Sequence, residues 1–364
     1  MVEPPGPRRA QQGEGESLVD FSSIDVYSLV DADSDEARTF TTYSGYWACL
    51  ADHIQKCYGD DYPRALLAEL QGRPAFRRLA GQGKPAKPDV LRALLLNGWT
   101  SELRLNLIAL DDKERLTLAN HGAPVDAYYA TSRHATAWLC LRDGSAPTTH
   151  RGLLNAISAQ VTGSRIYPPP WDLYCSSLLP NPVYDGFPSS PRACSNLALT
   201  ADRYDRAAML LRTTRQRGVE HKVEEVKQRQ KLKRARAGEK QCQDQKLAAT
   251  TVFDFAWRMR ARSNYGDPAM FYVGSLEHYR ARTYAAAVRS WTEATMFLFE
   301  ALIAQRAKSV IEEAAVHFMS RDRSNLAEAL IIPRLRSLGL LARPASARHT
   351  RRRASNDYAD NTPF

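Results

Sequence analysis

The stretch YRARTYAAAVRSWTEATMFLFEALIAQ, Tyr279–Gln305, decides the fold class. Tyr284, Val288, Trp291, Thr295 and Leu298 recur along it at helical spacing, which gives an apolar face broad enough to seed a core. Its most apolar part, Met296–Ala304, is interrupted by Glu300. A membrane span needs about 20 consecutive apolar residues, so the segment reads as a core helix. A second helix, Ala307–Ser320, follows it, and then a short one, Asn325–Leu341, which Pro333 is expected to interrupt.

Working back toward the start, helical periodicity recurs over Thr41–Tyr58, Pro63–Gln71, Pro88–Asn97, Asp111–Asn120, Val125–Leu141 and His150–Thr162. Gly81-Gln82-Gly83-Lys84-Pro85 breaks one interval, and His121-Gly122 is expected to stop the Asp111 helix. Ser101 resembles an N-cap, and Thr100–Leu110 fits a strand or a helix equally. Thr200 to Arg262 lacks proline and reads as one long helix broken near Gly238; forty residues of it would span about 60 Å. The fold class is therefore mainly α: two helical subdomains joined by a strap rich in proline and aromatics and by a long basic helix.

The expected organisation follows these composition shifts. Residues 1–36 form a disordered acidic arm, and 37–162 an N-terminal helical domain. Residues 163–199 form an irregular strap, where Pro168, Pro169, Pro170, Pro180, Pro182, Pro188 and Pro191 exclude helix while Tyr167, Trp171, Tyr174, Tyr184 and Phe187 give it material to pack over a core. Residues 200–247 form the basic helix, 248–341 a C-terminal helical domain, and 342–364 a disordered Arg-rich tail.

The chain has 364 residues and a formal charge of +10, but the charge is not spread evenly. Arg212–Lys240 holds eleven Lys or Arg against four acids, Ala329–Asn356 holds seven Arg and no acid, and Met1–Glu36 holds nine acids against Arg8 and Arg9. The body is near neutral, and the positive charge belongs to two segments that suit phosphate backbones. Six cysteines are too sparse for a disulfide scaffold. Met1–Gly15 has no apolar h-region. The expectation is a cytoplasmic protein with reduced thiols and no membrane span.

Several chemistries lack a motif here. There is no GxSxG, no Gly-rich phosphate loop, no GxGxxG and no HExxH. Cys49, His53 and Cys57 stand at i, i+4 and i+8 of one helix, where the outer two lie about 12 Å apart along the axis and cannot share a metal. They read as a buried helix face, and no metal or cofactor is expected.

The basic helix is the strongest functional signal. Within it Arg212, Arg215, Lys222, Lys227, Arg229, Lys231, Lys233, Arg234 and Arg236 form the expected phosphate-binding set, with Arg348, Arg351, Arg352 and Arg353 of the tail beside them. No aromatic is interleaved between Leu211 and Val252, so contacts on this helix are with phosphates and not with bases. Downstream, TTVFDFAWRMRARSNYGDPAMFY, Thr250–Tyr272, brings Arg258, Arg260, Asn264, Tyr265 and Asp267 to a helix junction, where they could line a small anion pocket.

Residues 250–320, in particular RARSNYGDPAMFY followed by RTYAAAVRSWTEATMFLFEALIAQR, resemble the helical-hairpin core of HEPN-type domains. That resemblance implies either a ribonuclease, whose active members use an Arg four to six residues before a His, or a non-catalytic helical module that binds RNA or a partner. Arg115/His121, Arg215/His221 and Arg343/His349 have the spacing, which is no more than chance pairing of 39 Arg with eight His gives, and none lies in the resembling segment. The leading expectation is a non-enzymatic helical protein that binds RNA or non-specific DNA. A HEPN-like ribonuclease or toxin component is one alternative. A structural or assembly subunit such as a capsid or scaffold protein, forming a homo-oligomer, is the other.

Overall fold

In the computed structural model, the described residues are 34–80, 87–178, 203–236, 238–266, 268–322 and 325–341. They form the helices α1 (Asp35–Tyr58), α2 (Tyr62–Gly72), α3 (Pro74–Arg77), α4 (Pro88–Asn106), α5 (Lys113–Asp143) and α6 (His150–Ser164). Then come α7 (Arg203–Gln230), α8 (Glu239–Lys246), α9 (Val252–Ala261), α10 (Ala269–Gly274), α11 (His278–Met319) and α12 (Leu326–Ser337). Two short strands, β1 (Tyr174–Cys175) and β2 (Thr250–Thr251), pair antiparallel. The protein is mainly α and multi-helical.

The quoted stretch lies in α11. Its predicted face is buried, and so are Ala287, Phe297, Phe299 and Leu302 around it. A helix apolar on most sides belongs at the centre of a core, and α11 has α1, α4 and α5 packed round it. Trp47 of α1 lies 5.0 Å from Trp291 and 4.9 Å from Phe255 between ring centroids. One hydrophobic cluster runs from Phe40 to Leu340, so the two segments expected as helical subdomains share one core. At Ala307 the backbone leaves the helical region, with φ −146° and ψ 63°, and this kink stands where the periodicity places the join between two helices.

Several boundaries differ from expectation. α1 starts earlier, at Asp35, because the Ser34 hydroxyl accepts from the Ala37 amide at 3.2 Å and caps it. Ser101 is not a cap: α4 runs through it, and its hydroxyl donates to the Asn97 carbonyl at 3.1 Å. α5 continues through Gly122 and Pro124. Nearby, Asn120 donates to the Ala281 carbonyl at 3.0 Å, fixing this part of α5 against the start of α11. α12 likewise runs through Pro333. In α5 tertiary packing overrides local propensity.

The described start of the strap packs over the core. Tyr167 and Trp171 are buried. Trp171 Nε1 donates to Thr295 Oγ1 at 2.9 Å, and the Tyr58 hydroxyl donates to the Pro169 carbonyl at 2.5 Å. Residues 179–202 lie outside the described residues, as do 1–33 and 342–364. Among the described residues no helix is long and apolar enough to cross a membrane.

Candidate nucleic-acid interface

The long helix expected from Thr200 to Arg262 is three helices. α7 ends at Gln230, Lys231 turns the chain with φ 54°, and α8 begins after Gly238, whose φ of 78° suits glycine. Arg215 explains the reversal. It is 1% exposed, and its Nε donates to Asp244 Oδ1 at 2.6 Å. Nη1 donates to the carbonyls of Cys175 (3.1 Å) and Ala248 (2.8 Å), and Nη2 to those of Asp244 (2.6 Å) and Leu247 (3.4 Å). One guanidinium therefore clamps α8 and the β2 approach onto α7. Arg215 leaves the phosphate-binding set, because its donors are enclosed and occupied.

The other cations of α7 separate into two groups. Arg212 is half-buried. Lys222 pairs with Glu225 and Lys227 with Glu224, each at 2.6 Å, and the hydrogen bonds from these lysines hold both carboxyls below their ordinary pKa. By contrast, Arg229, Lys231, Lys233, Arg234 and Arg236 are exposed, and none forms an ion pair among the described residues. The expected helical stripe of Lys227, Lys231 and Arg234 is not a stripe, since α7 stops at Gln230; the free charges sit on its last turn and on the turn that follows. Arg348, Arg351, Arg352 and Arg353 lie outside the described residues.

The pocket expected from Arg258, Arg260, Asn264, Tyr265 and Asp267 does not form as one site. Positions i and i+2 of a helix project about 200° apart. Arg258 turns to α1 and α7, where it donates to the Tyr43 hydroxyl at 2.5 Å and to Thr214 Oγ1 at 3.3 Å. Burial lowers its pKa. Arg260 turns to α5 and donates to the Tyr129 hydroxyl at 2.9 Å. Its guanidinium lies 5.3 Å from the Tyr129 ring centroid, 5.7 Å from Tyr128 and 5.8 Å from Tyr265, within cation–π range of each. Asn264 and Tyr265 are exposed on a π-helical turn, Arg262–Gly266. Asp267 lies outside the described residues.

A groove of about 300 Å³ opens beside Arg258, lined by α6, α7, α9 and the segment before β2. Arg151, Arg217, His221 and Arg258 stand around it, with Leu247, Ala249 and Trp257 as apolar wall. Asp254 also lines it; its carboxyl accepts from the Thr251 amide at 2.8 Å and hydroxyl at 3.0 Å, and burial pushes its pKa up to about 6. Sequence reading misses this groove. Trp257 stands in the segment singled out as distinctive, but nothing local places Arg151, over a hundred residues earlier, beside it.

The three Arg–His spacings fare differently. Arg215 is enclosed, as described, while His221 pairs with Glu225 at 3.0 Å. Arg115 lies 3.5 Å from Asp112, and His121 Nε2 makes a 2.9 Å hydrogen bond with the Ser263 carbonyl oxygen. Arg343 and His349 lie outside the described residues. Cys49 and His53 are buried on α1 and Cys57 is exposed. No group of three or more metal-ligating side chains occurs among the described residues. Comparison with family models, with curated proteins and with solved structures returns no match.

Proposed function

We propose that this is a non-enzymatic helical protein that binds nucleic acid, RNA or non-specific DNA, through phosphate contacts made by the end of α7. The observation that carries the reading is the contrast along one helix. Lys222 and Lys227 are neutralised by acids on their own helix and Arg215 is enclosed, whereas five cations from Arg229 to Arg236 are exposed and form no ion pair among the described residues, with only Arg229 acting at longer range on Glu225. A cluster of free cations on a near-neutral body attracts a polyanion and gives it no sequence preference. The Arg-rich tail adds charge of the same kind.

Fluorescence anisotropy with labelled single-stranded RNA and duplex DNA at stepped salt tests it. Affinity should fall steeply with salt, with a log–log slope of about −0.7 to −0.9 per phosphate engaged. Changing Arg229, Lys231, Lys233, Arg234 and Arg236 together to Glu should weaken binding severely, leaving at most what the Arg-rich tail supplies. Unchanged affinity in that variant defeats the proposal.

A second reading, an assembly subunit, is favoured by a different feature. Leu118, Tyr272, Val273, Leu276 and Tyr279 are exposed on the start of α5, on α10, in the link after it and at the start of α11. Exposed apolar patches of that kind mark contact surfaces. Light scattering separates the two readings: a monomer at every concentration removes the assembly reading.

A further inference from the structure

The groove between α6, α7 and α9 is a second place where positive charge gathers, and its chemistry differs from that of the α7 end. Arg151 forms no ion pair among the described residues, although its charge acts on the Asp254 carboxyl, and Arg258 donates to two hydroxyls, Tyr43 and Thr214, and lies 5.0 Å from the Tyr43 ring centroid. Arg217 is held by Glu220 at 3.0 Å, and His221 by Glu225. Asp254 is the one acid lining the groove, and its carboxyl is engaged in capping α9. The rest of the wall is mixed: Leu247, Ala248, Ala249 and Ala261 are apolar, and Asn155 and Thr250 add neutral polar groups. Trp257 supplies the aromatic surface, and its indole N–H is buried with no acceptor among the described residues.

Each of these observations specifies part of a ligand. Planar guanidinium groups match the oxygens of a phosphate or carboxylate. The Trp257 and Leu247 wall matches a flat apolar body. A cavity of about 300 Å³ is at the small end of ligand sites and suits a small molecule. We infer that the groove binds a small amphipathic anion, a compact ring carrying one phosphate or carboxylate group, with Arg151 and Arg258 facing the head group and Trp257 the ring. This goes beyond the backbone-binding reading and does not depend on it.

The protein provides its own reporter. Trp47, Trp99, Trp138, Trp171 and Trp291 are all at most 1% exposed, whereas Trp257 is half-buried. Phenyl phosphate, phenylacetate, inorganic phosphate and benzyl alcohol would each be titrated into the full chain, followed by tryptophan emission and by calorimetry. Phenyl phosphate or phenylacetate should saturate, and whichever binds tighter identifies the head group. Inorganic phosphate and benzyl alcohol should each bind at least about tenfold more weakly, since each lacks half of the recognition. Arg151→Ala should weaken the aryl anion about tenfold or more with the melting temperature unchanged. Trp257→Phe should silence the emission change while calorimetry still registers binding.

Three results would overturn the inference: no saturation by either aryl anion, equal binding of inorganic phosphate, or undiminished binding by Arg151→Ala. The five-site Glu variant of the α7 end should retain aryl-anion binding, so failure of this inference and failure of the nucleic-acid reading are read on separate variants.

Discussion

Arg334 of α12 and Glu102 of α4, 232 residues apart, form a two-bond ion pair inside the core, with Nη2 to Oε2 at 2.9 Å and Nη1 to Oε1. Arg334 also reaches Glu300 of α11, Nε to Oε2 at 3.0 Å and Nη2 to Oε1 at 2.8 Å. Trp99 Nε1 donates to the same carboxylate at 2.8 Å. The three charged side chains are at most 3% exposed. Two acids thus share one guanidinium in a low-dielectric site. Burial raises the Glu102 pKa, whereas Arg334 holds that of Glu300 down despite burial.

The two ends of this pair should respond unequally to mutation. Arg334→Met leaves two buried carboxyls without their cation and should cost about 3–5 kcal/mol. Glu102→Gln keeps the shape and leaves Arg334 paired with Glu300, so it should cost much less. Urea unfolding of both variants checks the order, and equal losses would show that the guanidinium is not what holds the cluster.

His134 predicts a pH dependence. It is buried with Nε2 3.8 Å from Glu300 Oε1, and burial pulls its pKa from 6.5 down to about 4, with Glu300 opposing. Between those values the unfolded ring binds the proton and the folded one does not. Its contribution is therefore present above about pH 6.5 and lost as pH falls through about 4, roughly 3 kcal/mol in all. Asp254 works the other way. Its pKa rises from 3.8 to about 6, so its contribution is present below 3.8 and lost as pH rises through about 6; the raised Glu102 acts with it. The two slopes oppose each other between about pH 4 and 6. His134→Gln should then be less stable at pH 6 than at pH 4, and Asp254→Asn should show the reverse. Denaturant midpoints across that range decide it, and a difference between wild type and His134→Gln that does not change with pH would sink the assignment.

What the sequence disclosed follows from the range of the interactions involved. The face of Tyr284, Val288, Trp291, Thr295 and Leu298 is a local pattern, and it identifies both α11 and the mainly α class. Arg215 and Arg334 are the opposite case. By spacing and composition they belong to a basic helix and to the basic stretch Ala329–Asn356, yet both are buried, because the acids that receive them, Asp244, Glu102 and Glu300, come from elsewhere in the fold. Net charge counts such residues as surface. The groove was invisible for the same reason: Arg151, Arg217 and Trp257 meet only after α6, α7 and α9 have packed.

Two glycines mark where helices approach too closely for a side chain. A Cβ on Gly98 of α4 would stand 2.2 Å from His134 Nδ1 and 3.1 Å from the Ala130 carbonyl oxygen, and one on Gly274 of α10 would stand 2.1 Å from the Phe40 ring. Alanine at either should cost about 1–3 kcal/mol through overpacking. Gly122, in α5, has nothing within 4 Å of its Cβ position, so Gly122→Ala should instead stabilise by about 0.5–1 kcal/mol. Thermal melts of the three variants should show this difference in sign. A gain at Gly98 would mean that α4 and α5 have room to separate.

The division of labour along α7 gives the prediction that separates structure from binding. Asp244 is only slightly exposed, and it also accepts from the Ser177 hydroxyl at 3.0 Å and the Leu178 amide at 2.8 Å. Arg215→Ala therefore strands a buried carboxylate at a crossing of four segments and should cost about 3–5 kcal/mol. Arg215→Lys should not rescue it, since an ammonium cannot reproduce the hydrogen bonds of the planar fork. Neither variant should lower nucleic-acid affinity per folded molecule. Lys233→Ala with Arg234→Ala should do the opposite, leaving the melting temperature unchanged while affinity falls and the salt slope shrinks by about 1 for each phosphate no longer engaged. Measuring unfolding and anisotropy on the same samples tests both halves. If Arg215→Ala weakened binding without loss of stability, the buried clamp would have to be redrawn as a binding residue.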